Sequence, residues 1–135
     1  MVEIRHVLCP VDFSDFSRRA LDHAIALAKW YGSRLSVLYV YHPILDQDLP
    51  NLVKIEALGR LVADLVSSDH RVLVHCRMGF NRSVLVIATA LTYLGMTGEA
   101  ALVHLRECRP GALFNENFAN HVATLPARRI RVETL

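Results

Sequence analysis

The sequence lacks most of the features that would assign its class at once. It has three cysteines in 135 residues, and no two form a C-x-x-C pair. A disulfide scaffold is therefore excluded, and so is a zinc ribbon. His6, His23, His104 and His121 do not fall at metal-ligand spacing, so no metal and no cofactor is expected. Aromatic residues make up 7%. Trp30, Tyr31, Tyr39 and Tyr93 are too scattered to form a stacking platform, so no nucleic-acid partner is expected. The net charge of +2 gives that partner no electrostatic support and does not exclude it either. No apolar run approaches the ~20 residues needed to span a bilayer. The longest, Val84 to Leu91, contains Thr89 and is followed by Thr92 and Gly95. No membrane partner is expected, and because Met1-Val2-Glu3-Ile4-Arg5-His6 lacks the form of a signal peptide, a cytoplasmic location is.

What is present is a core-forming composition. Hydrophobic residues reach 53% and charged residues 21%, with a mean hydropathy of +0.28, which rules out wholesale disorder. The length suits one domain, 1–135. Strand-like and helix-like runs alternate. Ile4 to Cys9 is β-rich and ends at Pro10. Asp12, Ser14 and Ser17 offer N-caps to a helix carrying Ala20, Leu21, Ala24, Ile25, Leu27, Ala28 and Tyr31, which Gly32 is placed to end. Leu35 to Tyr41 is a second strand, apolar almost throughout, as when both faces are covered. After a loop with two prolines, Asn51 caps a helix with Leu52, Ile55, Leu58, Leu61, Val62 and Leu65. Val72 to His75 is a third strand, and Ser83 to Leu94 a buried helix. Thr97 caps a further helix to about Glu107, Asn115 to Thr124 is a last one, and Ile130 to Leu135 is a final strand or a frayed tail. The expectation is an α/β fold of three layers, α/β/α: a short parallel sheet from βαβαβ, then helices, with strand order 2-1-3. The basic residues Arg128, Arg129 and Arg131 read as a solvated end.

Chemistry concentrates in His75-Cys76-Arg77-Met78-Gly79-Phe80-Asn81-Arg82-Ser83, between the third strand and the buried helix. A loop that opens a helix turns successive N–H groups inward and adds the positive end of the helix dipole. A phosphate or sulfate ion fits that cradle, lined by Arg77, Met78, Gly79, Phe80, Asn81 and Arg82. Arg82 can grip two oxygens with its planar fork. The same field favours the thiolate of Cys76, a nucleophile. Gly79 permits the tight path, Ser83 can donate to the thiolate, and His75 orders the loop backbone.

The HCxxGxxRS pattern resembles the signature of cysteine-dependent protein phosphatases, specifically the small dual-specificity branch. The similarity runs from about Leu45 to Leu125. It includes Arg109-Pro110-Gly111-Ala112-Leu113 followed by Asn115 and Phe118. It implies that Cys76 attacks phosphorus to form a phosphocysteine, that an upstream aspartate protonates the leaving oxygen, and that no metal takes part. Asp46, thirty residues before Cys76, is the first choice of acid and Asp48 the second. Asn115 is implied to support the loop. The implied substrate is a phosphorylated protein or a small aryl phosphate.

Residues 1 to about 43 resemble something else. Val7-Leu8-Cys9-Pro10-Val11-Asp12-Phe13-Ser14, then Ser17, Ala20-Leu21, Ala24, Leu27-Ala28 and Ser33-Arg34-Leu35-Ser36-Val37-Leu38-Tyr39-Val40, look like the opening βαβ unit of universal stress proteins. In nucleotide-binding members of that family the aspartate matching Asp12 lies near an adenine nucleotide. The later glycine-rich phosphate segment they need is missing here, so Asp12 and Ser14 read as helix caps. The two resemblances together imply a natural or engineered chimera, 1–43 joined to 44–135 near His42-Pro43, within one domain. Asp12 would then lie at the same sheet end as Cys76 and stand as a substitute acid, and Cys9 could pair with Cys76 on oxidation. The functional expectation is a phosphatase, monomeric or homodimeric. Its rivals are a folded chimera that binds oxyanions with little turnover, and a stress-protein-like interaction module.

Overall fold

A computed structural model describes residues 3–10, 15–38 and 44–129 of the chain. Asp12 and Ser14, the join at His42-Pro43 and the expected final strand over 130–135 lie outside the described residues. The elements run β1 (His6–Pro10), α1 (Asp15–Tyr31), β2 (Arg34–Leu38), α2 (Leu52–Ser67), α3 (Arg82–Tyr93), α4 (Gly98–Cys108) and α5 (Glu116–Ala123).

The first three form a βαβ segment. β1 and β2 are parallel, with Val7 opposite Leu35 and Cys9 opposite Val37. α1 buries Ser17, Ala24 and Ala28 along one face, and Val7, Cys9, Ala24 and Ala28 form a small cluster with Ile4, Ala20, Leu21 and Leu35 around it. Small residues on the helix let it lie close to the pair of strands. Gly32 ends α1 in the left-handed region, at φ +62. There the Ser33 N–H reaches the Ala28 carbonyl at 2.8 Å and the Gly32 N–H that of Lys29 at 3.4 Å, a Schellman termination that satisfies the last carbonyls.

The remaining helices make the larger core. α3 is its axis, with eight of twelve residues buried. Its Leu85 is fully buried, as are Ile55, Leu113, Phe118 and Val122 in the same cluster. Close approach depends on small residues. A Cβ on Gly59 of α2 would lie 2.5 Å from Thr89 Cγ2 of α3, and one on Gly98 of α4 would lie 1.7 Å from the Val122 carbonyl oxygen of α5. The expected caps form. Asn51 Oδ1 accepts from the Val53 N–H at 3.1 Å, Thr97 Oγ1 from the Ala100 N–H at 3.2 Å, and Asn115 Oδ1 from the Phe118 N–H at 3.3 Å. Each pairs donors that a helix start leaves orphaned.

One expectation is met in part, and another is corrected. Among the described residues the sheet has two strands, β1 and β2. Val72 to His75 carries a single bridge residue, Val72, so no third strand joins β1 and β2 among the described residues. A strand covered on both faces would bury Leu73, which is 42% exposed, and the chain turns at once into the loop that follows. The described elements pack as two groups, β1, α1 and β2 in one and α2 to α5 in the other. The chain is therefore mixed α/β with little strand. The correction concerns the basic end. Arg128 is no solvated residue. Its guanidinium donates to Glu56 Oε2 at 2.5 Å and to Thr92 Oγ1 at 2.6 Å, lies 4.0 Å from the Tyr93 ring centroid, and straps the chain end across α2 and α3. No described helix is long and apolar enough to cross a membrane.

Candidate active site

The loop from His75 to Asn81 delivers the chain into α3. Asn81 has φ −116 and ψ −67, and its side chain does not cap the helix. The first helical bond is from the Leu85 N–H to the Asn81 carbonyl, at 2.8 Å. The N–H groups ahead of it are left without intrahelical partners, and the fold turns them to the thiol. Cys76 Sγ accepts from the Gly79 N–H at 3.2 Å and lies 3.3 Å from Ser83 Oγ. With the thiol ionised, that hydroxyl is the donor. Gly79 holds φ +73, which a side chain would strain.

The electrostatics follow from these contacts. Burial of Cys76 opposes its ionisation. The Ser83 hydroxyl and the N–H groups of Ser83, Gly79 and Met78 outweigh it and hold the thiol below its ordinary value, as expected of donors aimed at an anion.

Arg82 opens α3. Its Nη1 donates to the Ile44 carbonyl at 3.4 Å, while its buried Nε has no hydrogen-bond partner among the described residues. A buried, charged N–H without an acceptor is costly, and an oxyanion on the loop is the acceptor its chemistry suits.

Asp46 is tied to the loop. Its Oδ2 accepts from Asn81 Nδ2 at 2.9 Å, and its Oδ1 from Asn115 Nδ2 at 2.9 Å. The triangle closes where Asn81 Oδ1 accepts the Asn115 N–H at 3.0 Å. The neighbouring Gln47 carbonyl takes bonds from Asn115 at 3.2 Å and Asn117 at 3.1 Å. The anchoring thus falls on Asp46, while Asp48 is exposed.

The other expected residues spread outward. Arg77 stacks over the Phe16 ring of α1, 5.4 Å from its centroid, so a loop residue reaches the βαβ segment. The Met78 side chain is 67% exposed. Phe80 lies beneath Arg109, 4.3 Å from guanidinium to centroid, and its carbonyl accepts the Leu113 N–H at 2.7 Å. His75 is half-buried. Cys9 is fully buried in the first cluster, and burial pushes its thiol up.

Sequence reasoning missed several supports. Arg109, read as part of a turn, donates to the Met78 carbonyl at 3.3 Å and braces the loop from outside. Arg106 donates to the carbonyls of Ala112 and Leu113, both at 3.1 Å. It fixes a turn in which buried Leu113 takes φ +56, an uncommon conformation for a leucine. The Asn115-Glu116-Asn117 spacing was the one available sign that two amides flank the acid loop.

Known proteins resemble this chain. The rat (Rattus norvegicus) protein phosphatase Slingshot homolog 3 is 28% identical over 117 residues, covering 84% of this chain and 18% of that protein. The mouse (Mus musculus) Slingshot homolog 3 is 39% identical over 66 residues, 48% of this chain and 10% of that protein. The chain thus spans less than a fifth of the length of these relatives. Among solved structures, kinase associated phosphatase with its catalytic-site cysteine replaced by serine superposes with a TM-score of 0.56 at 23% identity, covering 88% of this chain and 66% of that one. Tk-PTP in its active form gives 0.53 at 20%, covering 90% and 79%. Both share the fold. The rat match covers more of the chain than residues 44–135 can supply, and the universal stress protein family model runs from residue 3 to residue 77, past the expected join and into the signature. The two likenesses overlap. With more than half of its length matched by that model, and with a phosphatase-like loop inside and beyond the match, the chain belongs to the universal stress protein family.

Proposed function

We propose that this protein hydrolyses phosphomonoesters, a small aryl phosphate or a phosphorylated protein, through a phosphocysteine on Cys76. The observation that carries the reading is the thiol itself. Backbone N–H groups and the Ser83 hydroxyl converge on Cys76 and lower its pKa, and the adjacent Arg82 keeps a buried Nε–H without an acceptor. Its likeness to proteins named as phosphatases supports the same reading.

The steps follow from the chemistry of these groups. The phosphoryl oxygens occupy the N–H cradle, with Arg82 gripping two of them. The Cys76 thiolate attacks phosphorus, and the bond from phosphorus to the leaving oxygen breaks. Asp46, protonated, gives its proton to that oxygen. Water then attacks the phosphocysteine and yields a proton to the Asp46 carboxylate. The P–S bond breaks, and the Ser83 hydroxyl donates to the departing thiolate. Inorganic phosphate and the free alcohol or phenol are released.

Hydrolysis of para-nitrophenyl phosphate tests this directly. Cys76→Ser is expected to abolish turnover and Asp46→Ala to reduce kcat about 100-fold, the usual share of a general acid. A wild-type protein that melts cooperatively yet releases no nitrophenol would overturn the reading and leave an oxyanion-binding fold.

A further inference from the structure

The acid loop carries two carboxylates, Asp46 and Asp48; Asp48 is exposed, while both oxygens of Asp46 are held. One holder is Asn115, which also caps α5. The other is Asn81, which belongs to the phosphate loop itself. Asn81 is 2% exposed and also accepts the Asn115 N–H through its own carbonyl oxygen. Burial and that bond fix which end of the amide faces Asp46, so the Nδ2 donor is directed and cannot be exchanged for the carbonyl oxygen without losing both contacts. Its backbone carbonyl starts α3. One residue therefore joins the start of the helix, the phosphate loop and the acid.

Asp46 lies on an exposed stretch with no helix or strand of its own. A carboxylate on such a stretch is otherwise free to sample many positions, and a misplacement of about 1 Å at a reacting group costs up to 100-fold. We propose that Asn81 is a positioning residue for the acid step. It latches Asp46 to the phosphate loop, so that the proton donor stands ready wherever a phosphoryl group is bound. This rests on the reading of Asp46 as the general acid. It assigns to Asn81 a role other than touching phosphate with its side chain.

Leaving groups provide the test. Phenol is the poorer leaving group and depends on protonation more steeply than para-nitrophenol does. In Asn81→Ala, kcat is expected to fall about tenfold further on phenyl phosphate than on para-nitrophenyl phosphate, with the excess in kcat and not in KM. Asn81→Asp keeps the shape but presents a carboxylate to Asp46, and it is expected to lose more than Asn81→Ala. Equal losses on the two substrates, or an Asn81→Asp enzyme that matches wild type, would overturn the proposal.

The failure of the acid assignment is told apart by Asp46→Asn. If that variant shows the wild-type dependence on leaving group, Asp46 is not the acid, and the proposal falls with it. The latch has a readout of its own that needs no turnover. Backbone 15N order parameters of residues 45–48 are expected near the rigid value of about 0.85 in wild type and below about 0.6 in Asn81→Ala. Identical values in the two proteins would overturn the latch.

Discussion

Cys9 and Cys76 put the two regions of the molecule side by side. Cys9 sits in the apolar cluster of the βαβ segment, fully buried, and its thiol is pushed up. Cys76 is half-buried at the mouth of α3, and its thiol is brought down. Burial pushes both in the same direction. The difference lies in the donors: Ser83, Gly79 and Met78 converge on Cys76, and that convergence is possible only where a helix begins and leaves its first N–H groups unspent. The lesson is that a thiol's reactivity is set by the end of the element it stands on more than by its depth.

The largest expected effect follows directly. At pH 7, iodoacetamide should alkylate Cys76 on the order of a thousandfold faster than Cys9, since only the thiolate reacts and only Cys76 is both reachable and stabilised as one. Mass spectrometry of timed digests reads the two rates. Comparable labelling would erase the contrast between the regions.

The next effect separates the two clusters. Gly98→Ala would drive a methyl group into the Val122 carbonyl, a collision with backbone that cannot swing aside. A loss of about 3 kcal/mol is expected in urea unfolding, at the upper end of overpacking costs. Hydrogen exchange should place that loss in α3, α4 and α5, while the amides of β1, α1 and β2 keep their protection. A uniform loss would mean that the segments unfold as one.

The smallest effect sharpens the comparison at the far end of the helical region. Arg128→Ala removes the bonds to Glu56 and Thr92 and the stacking on Tyr93, and about 2 kcal/mol is expected at neutral pH. Burial would raise the Glu56 carboxyl, but the Tyr93 hydroxyl and Arg128 hold it below its ordinary value. A lowered folded-state pKa gives stability that is present above the unfolded value and fades as pH falls through the folded one. The difference between variant and wild type should therefore shrink on acidification. A difference that is constant from neutral to acid pH would assign the strap to packing alone.

Much of this was readable in the residues. Asn51 and Thr97 announce helices because a side-chain acceptor three positions before a periodic apolar run has one obvious use. The signature from His75 to Ser83 is readable because its proposed chemistry and its local geometry coincide: the residues expected to hold an anion are the ones that open the helix. What sequence could not supply is the set of contacts made at long range. Asn81 meets Asp46 across 35 positions and Arg128 meets Glu56 across 72, and nothing in either neighbourhood marks the partner. Among the described residues the third strand is reduced to one bridge residue, Val72. Val72-Leu73-Val74 has the right composition, but composition describes what a segment could cover and not whether anything lies against it, and Leu73 stays exposed.

Two apolar centres that share no element among the described residues carry an evolutionary consequence. The groups proposed for catalysis lie on α2-to-α5 and the loops between and before them, and the described reach toward α1 is a stacked pair, Arg77 on Phe16. A segment attached in this way can be exchanged, lengthened or replaced with little renegotiation of the chemistry, because few of its side chains answer to the phosphate loop. Such a seam is where recombination is tolerated, and a stress-protein opening and a phosphatase signature could meet in one chain at low cost to either.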